Sequence, residues 1–331
     1  MAEVNDGAVD LMQVVRGDRI ESVHRGHAVI CDGSGGIVEA WGDPSTVIYP
    51  RSSCKMIQAL PLLESGAGRD LDDRRLALAC ASHQGAEIHT GEVAAWLSDL
   101  GLTESDLRCG SHMPYSDAAK ADLIRADAGP CQLHNNCSGK HAGFLTLARH
   151  LGAGPEYADP DHPVQQAVRR AFEEVTGMES PGFGIDGCSA PNFATRLDAL
   201  GTAMGRFAAA REGADARADA MARLTRAMGA QPELVAGEGR ACTDLMRAMD
   251  GRVAVKTGAE AVFVAIVPEL DRGIALKIVD GGTRAAEGVI AALLVRLGVL
   301  DAGAPVAKRL TVGPIRNCRD TVTGHYRVTL G

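Results

Sequence analysis

The sequence predicts an α+β fold in which an antiparallel sheet, built from the two ends of the chain and flanked by helices, carries an inserted, mainly helical domain. Three observations predict it: strand patterns with turn signals in the first fifty residues, helical patterns through the middle, and β-rich runs after Gly251. The 331 residues correspond to roughly two domains at about 150 residues each. The sheet domain is expected over 1–70 and 185–331, with the inserted helical domain over 71–184.

At the N-terminus, Leu11 to Val15, Ser22 to Cys31 and Gly36 to Trp41 read as an antiparallel meander, separated by Gly-Asp and Asp-Gly-Ser-Gly-Gly turns. Pro50 then precedes Arg51-Ser52-Ser53-Cys54-Lys55 and the apolar residues Met56, Ile57, Leu60, Leu62 and Leu63. This is a helix start with serine in its first turn, and Gly66 and Gly68 end the helix. Leu76 to Cys80, Ile88 to Leu100, Ala142 to Leu151 and Pro163 to Thr176 continue the helical pattern. Leu200 to Met228, rich in Ala and Arg, reads as a surface helix or helix pair without chemistry. Val253 to Val267 and Ile274 to Val279 read as a hairpin closed by Pro268 to Gly273, and Ala285 to Leu297 as an amphipathic helix.

Composition narrows the function. Lys and Arg total 34 against 42 Asp and Glu, a net charge of −8, and without a long basic run this argues against a nucleic-acid partner. Apolar residues are 46% and charged residues 23%, ordinary for a globular chain, and no uncharged apolar stretch is long enough to span a membrane. Met1 to Asp10 are acidic and lack the pattern of a secretory signal, so a cytoplasmic protein is expected. Nine scattered cysteines fit thiols and metal ligands better than a disulfide framework.

Only six of the 34 basic residues are lysines. Arginine stays protonated, whereas a desolvated lysine can lose its proton and act as base or ligand, so each lysine points to a task arginine cannot perform. Ser52-Ser53-Cys54-Lys55 has the Ser-x-x-Lys spacing, in which a hydroxyl and an amine share one helical face. The helix start adds unpaired backbone N–H groups suited to an oxyanion. Lys256-Thr257-Gly258, on the first strand of the predicted hairpin, has the Lys-Thr-Gly of serine acyl-transferases, and Gly258 would let a substrate approach the strand edge. Ser82, in Ala81-Ser82-His83-Gln84-Gly85, takes the place of a second serine in that scheme.

The run His134-Asn135-Asn136-Cys137-Ser138-Gly139-Lys140-His141 precedes an apolar helix, and Cys137 and Lys140 are three apart. With Cys188 from Gly187-Cys188-Ser189, two thiolates and a neutral amine could bind Zn²⁺. His134 and His141 are ligand candidates on spacing alone, as are His83 and His89, so the residues leave the ligand set open.

These strings, with Tyr49-Pro50-Arg51-Ser52, Cys109-Gly110, Asp186-Gly187-Cys188 and Pro191-Asn192, resemble in order the Rhizobium-type, or class 3, L-asparaginase family. The resemblance implies a fold similar to serine β-lactamases and glutaminases, hydrolysis of L-asparagine, a Zn²⁺ site and a homodimer. It implies two Ser-Lys tandems, Ser52 with Lys55 and Ser82 with Lys256, either serine being the nucleophile. It further implies Cys137, Lys140 and Cys188 as zinc ligands and Asp186 as a residue that orients a ligand. Arg51, His141 and Cys242 fall near the pocket. Ser53 places a second hydroxyl beside Ser52, and no Thr-Gly-Gly-Thr string of the threonine-nucleophile asparaginases occurs. Three other readings stand beside this one: a penicillin-recognising acyl-transferase or β-lactamase, a glutaminase, and a zinc- or redox-sensing protein without catalysis.

Overall fold

The computed structural model describes residues 7–330; residues 1–6, which include most of the acidic opening stretch, and Gly331 lie outside the described residues. The chain divides into two compact units. Among the described residues one comprises 7–53, 195–209 and 244–330, the other 54–194 and 210–243.

The first unit is a sheet whose two chain ends pair directly. Strand Val9–Arg16 runs antiparallel to Val322–Val328, with Met12 opposite Val328 and Arg16 opposite Gly324. On its other edge it meets Arg19–Asp32, which pairs in turn with Ile37–Trp41 and Arg272–Ile278. Val262–Val267 and Ala254–Gly258 follow, and Pro314–Arg316 closes the far edge beside Val322–Val328. Every pairing is antiparallel, as the sequence predicts.

Alternating side chains of a strand point to opposite faces. Ala28, Val29, Ile30 and Cys31 are nevertheless all buried, so the middle of this sheet is covered on both sides. The helices Leu197–Ala209 and Thr283–Arg296 pack there. Glycines allow the close approach of the first of them, since a Cβ on Gly273 would stand 2.1 Å from the Gly205 nitrogen and one on Gly205 2.3 Å from the Asp32 carbonyl oxygen.

Two expectations change here. The run 253–267 is not one strand: the turn Ala259–Ala261 divides it, with Glu260 and Ala261 at φ of 57° and 56°. The expected hairpin is therefore a three-stranded meander. The segment 200–228 is not a surface feature either. It forms the helices Leu197–Ala209 and Ala216–Ala230, whose residues Leu200, Met204, Phe207, Leu224 and Met228 are buried core.

The second unit is helical. Its main helices are Asp73–Ala79, Glu87–Asp99, Ser138–His150, Pro163–Thr176 and Ala216–Ala230. Asp72 caps the first, its Oδ1 accepting from Arg75 N at 3.0 Å, and Gly177 ends Pro163–Thr176 in the left-handed conformation at φ 75°. Helix Ser138–His150 starts four residues before its apolar run and is buried from Ser138 to Ala148, because it crosses the middle of this unit. No helix among the described residues is long and apolar enough to cross a membrane.

Candidate active site

Three of the six lysines are almost fully buried: Lys55 at 1% exposure, Lys140 at 3% and Lys256 at 1%. All three belong to the motifs singled out by sequence. Burying an ammonium without partners is costly, so the partners define the site.

In the helical unit, Lys55 opens the helical turn Lys55–Gln58 after the 3₁₀ segment Arg51–Cys54. Its Nζ lies 3.0 Å from Ser82 Oγ and 3.1 Å from Cys137 Sγ, and it donates to the Ala81 carbonyl oxygen. Ser82 is held from behind, its N–H donating to the Val235 carbonyl at 2.9 Å. Cys137 N–H donates to Asn135 Oδ1 at 2.8 Å, and Asn135 Nδ2 donates to the carbonyls of Cys109 and Gly110. Asn136 places its Oδ1 3.0 Å from Cys137 Sγ. The paired asparagines thus fix the loop that presents Cys137.

One turn on, Lys140 Nζ lies 3.0 Å from Cys188 Sγ, joining residues 48 positions apart. Cys188 follows the strand Phe183–Ile185, beside Asp186, whose carbonyl accepts from Ser189 N at 2.8 Å. Cys137, with Lys140 and His141, holds Cys188 well below the ordinary thiol value, while Cys188 and burial push Cys137 well above it. Burial opposes the charge of Lys140, but the sulfurs of Cys188 and Cys137 and the carboxylate of Asp186 outweigh burial and raise it. Burial pushes His141 down to about 4 and the neighbouring thiols of Cys54 and Cys109 up to about 12.

The histidines flagged by spacing divide. His83 and His89 stack with centroids 4.7 Å apart and are each used up structurally: His83 Nε2 meets Ser138 Oγ at 3.0 Å, and His89 Nε2 meets the Glu233 carbonyl at 2.9 Å. Burial holds both below the ordinary histidine value. His134 turns to Cys131, its Nδ1 3.3 Å from the sulfur. Only His141 belongs to the cluster. Cys242 is buried in the first turn of Ala241–Ala248. Tyr157 was not singled out by sequence: it is fully buried, with its hydroxyl 2.9 Å from His141 Nδ1. Its rarity, as one of four tyrosines, was the only available signal.

In the sheet unit, the Ser52 turn rests on the Lys-Thr-Gly strand. A Cβ on Gly258 would stand 2.7 Å from the Pro50 carbonyl oxygen and 3.0 Å from Ser53 N. Gly258 therefore makes room for the backbone around Ser52, where the sequence suggested room for substrate. Arg51 is held at φ 53°, a conformation rare outside glycine. Ser53 is fully buried and donates from Oγ to the Pro50 carbonyl at 2.7 Å, so its hydroxyl is engaged in the turn. Lys256 Nζ donates to the Thr257 carbonyl at 2.7 Å.

Among the described residues no group of three or more His, Cys, Asp or Glu side chains is arranged to hold a metal. The expected set contains two thiols and an amine. Two thiols, one of them 3.0 Å from the amine, form a donor set of the N/S type that suits Zn²⁺. In the absence of metal that amine carries a proton, which a cation would have to displace.

Residues 12–328 match a family model described as L-asparaginase II. Similar solved structures include a β-lactamase from Mycobacterium bovis, at 13% identity over 82% of this chain and 94% of that one, with a TM-score of 0.43. A β-lactamase from Sulfitobacter sp. EE-36 matches at 17% identity over 82% and 93%, with a TM-score of 0.41. The protein Mglu in its glutamate form matches at 12% identity over 85% and 62%, with a TM-score of 0.47. Among curated proteins there is no match.

Proposed function

The chain belongs to the L-asparaginase II family, and from that premise we propose that this amidohydrolase cleaves L-asparagine to L-aspartate and ammonia through a serine–lysine system. The observation that carries the proposal is the 3.0 Å contact between Lys55 Nζ and Ser82 Oγ. It supplies what amide hydrolysis requires after the first attack, a route for a proton to the departing nitrogen.

In this reading Ser52 Oγ attacks the side-chain amide carbon. Lys55, as the free amine, takes the hydroxyl proton as the C–O bond forms. Backbone N–H groups of the Arg51–Cys54 segment donate to the oxyanion. Lys55 returns the proton through Ser82 to the leaving nitrogen, the C–N bond breaks and ammonia departs. Water then hydrolyses the ester, giving its proton back along the same route. The direct contact with Lys55 also favours a second reading, in which Ser82 is the nucleophile.

Cys137, Lys140 and Cys188 would hold Zn²⁺, with Asp186 orienting Lys140, whose charge it already favours. Bound there, zinc supplies a Lewis-acidic charge for anchoring a polar substrate group.

Ammonia release from L-asparagine and L-glutamine by the native protein, Ser52→Ala and Ser82→Ala tests the proposal. Activity on asparagine that disappears in Ser52→Ala is expected. Activity that survives there and disappears in Ser82→Ala establishes the second reading. Ammonia from glutamine alone makes the protein a glutaminase, and β-lactam turnover without ammonia from either amide overturns the proposal.

A further inference from the structure

We propose that Tyr157 fixes the imidazole proton of His141 on Nε2, the ring nitrogen that faces away from the tyrosine. The inference deepens the reading above, in which the Cys137–Lys140–Cys188 cluster belongs to the active site.

Tyr157 is fully buried, and its Oη has two partners among the described residues: the backbone N–H of Arg108 at 2.7 Å and His141 Nδ1 at 2.9 Å. The amide can only donate. If Nδ1 also carried a proton, Oη would face two donors and the phenol's own proton would be buried without an acceptor, which is unfavourable. With Nδ1 bare, the phenol donates to it and every group is used. The proton of the neutral ring then sits on Nε2.

Nε2, on the far side of the ring, is buried without a hydrogen-bond partner among the described residues, so no other group there competes to place the proton.

Tyr157 is itself held in place. Gln165 Nε2 donates to its carbonyl at 2.8 Å, and Arg108 is pinned by Glu156, with Nη2 3.0 Å from Oε1, and by the carbonyls of Ser105, Asp106 and Leu107. The His141 ring meets Tyr157 edge-on with centroids 5.4 Å apart and lies against Phe144 at 5.7 Å. Tyr157 is thus a positioning residue acting through His141, in the way that partners of active-site histidines set the tautomer.

The test is long-range ¹H–¹⁵N correlation NMR on the full chain labelled with ¹⁵N-histidine, the His141 signals being assigned by their loss in His141→Gln. At neutral pH the native protein is expected to show an unprotonated Nδ1 and a protonated Nε2. Tyr157→Phe, which keeps the ring and removes only the hydroxyl, is expected to mix or reverse the two and to lower asparagine turnover by about 10- to 100-fold. A native His141 protonated on Nδ1 overturns the inference, and so does a tautomer unchanged in Tyr157→Phe. The native spectrum decides the first point even if the variant does not fold. Because the spectrum needs no substrate, a protein that releases no ammonia would defeat the asparaginase reading while leaving this inference to stand or fall by itself.

Discussion

Adding one methyl group at Gly139 should damage a site that the methyl does not touch. Gly139 lies between Ser138 and Lys140 where helix Ser138–His150 crosses helix Asp73–Ala79, and a Cβ there would stand 2.5 Å from the Leu78 carbonyl oxygen and 2.9 Å from the Leu78 carbonyl carbon. Ordinary contact begins near 3.4 Å, so Gly139→Ala forces the two backbones apart by about 0.9 Å. Overpacking of this kind costs about 1–3 kcal/mol, partly offset by the roughly 1 kcal/mol that alanine gains over glycine in a helix. Backbone atoms cannot rotate out of the way, so a net loss of about 1–2 kcal/mol is expected. The functional loss should be larger. The Leu78 carbonyl accepts from Ala81 N, Ala81 and Ser82 are partners of Lys55 on one side, and Cys137, its partner on the other, opens the displaced helix. A displacement near 1 Å at such a site costs on the order of 10²-fold in rate. Urea unfolding and ammonia release from L-asparagine measure the two losses. Gly143→Ala is the control on the same helix, since its Cβ would meet only side-chain atoms at 3.5 Å or more. Native stability and turnover in Gly139→Ala, or equal losses in both variants, would refute the reasoning.

Lys55→Met keeps an unbranched stem and removes the terminal nitrogen; turnover should fall by about 10²–10⁴-fold, the range for a lost proton-transfer group, and near-native turnover would exclude Lys55 as the base. Because the change leaves Ser82 and the Ala81 carbonyl short of a partner, circular dichroism must accompany the assay. Gly258→Ala should lower turnover while sparing the helical unit, because its methyl would displace the Pro50 carbonyl and with it the Ser52 turn, and undiminished turnover would contradict that packing. Acid should destabilise the protein through its buried neutral histidines. Burial lowers His83 well below the ordinary value of 6.5 and His141 to about 4, so the unfolded chain binds more protons than the folded one in this window. Stability present above pH 6.5 is lost as pH falls toward 4, by about 1.4 kcal/mol per pH unit for each such histidine. Urea midpoints that do not move between pH 7 and pH 5 would contradict this.

The sequence made legible what local pattern encodes. Alternation and glycine turns located the terminal strands, and their antiparallel pairing followed from helices standing between them. The break at Ala259–Ala261 was hidden because Ala-Glu-Ala carries none of the Gly, Asn or Asp residues that mark a left-handed turn. In the site, the three-residue spacings Ser52 to Lys55 and Cys137 to Lys140 could be seen directly. The contacts that give these residues chemistry could not, because Lys55 reaches Ser82 across 27 positions and Tyr157 ties Arg108 to His141 across 49 and 16. Distances of that kind are created by helix packing, and a single sequence carries no local trace of them.

The scarcity of lysine, by contrast, carried information about burial. Among the described residues no arginine is fully buried, whereas Lys55, Lys140 and Lys256 are. A guanidinium taken into the interior keeps its charge and all five donors, and the fold must satisfy every one. A buried lysine has two stable forms, an ammonium with three donors or an amine with two donors and a lone pair. Lys55 has three polar neighbours, Ala81 O, Ser82 Oγ and Cys137 Sγ, a number that suits both forms. As an ammonium it donates to all three; as an amine it donates to two and accepts from the serine hydroxyl. For a proton passing between Ser82 and Lys55, the same three contacts therefore serve before and after transfer. Lys140 has the complementary arrangement, with a sulfur that favours its proton and a lone pair that a metal can claim once the proton leaves. Arginine could fill neither position, which is why a chain whose basic residues are mostly arginine retains lysine at both.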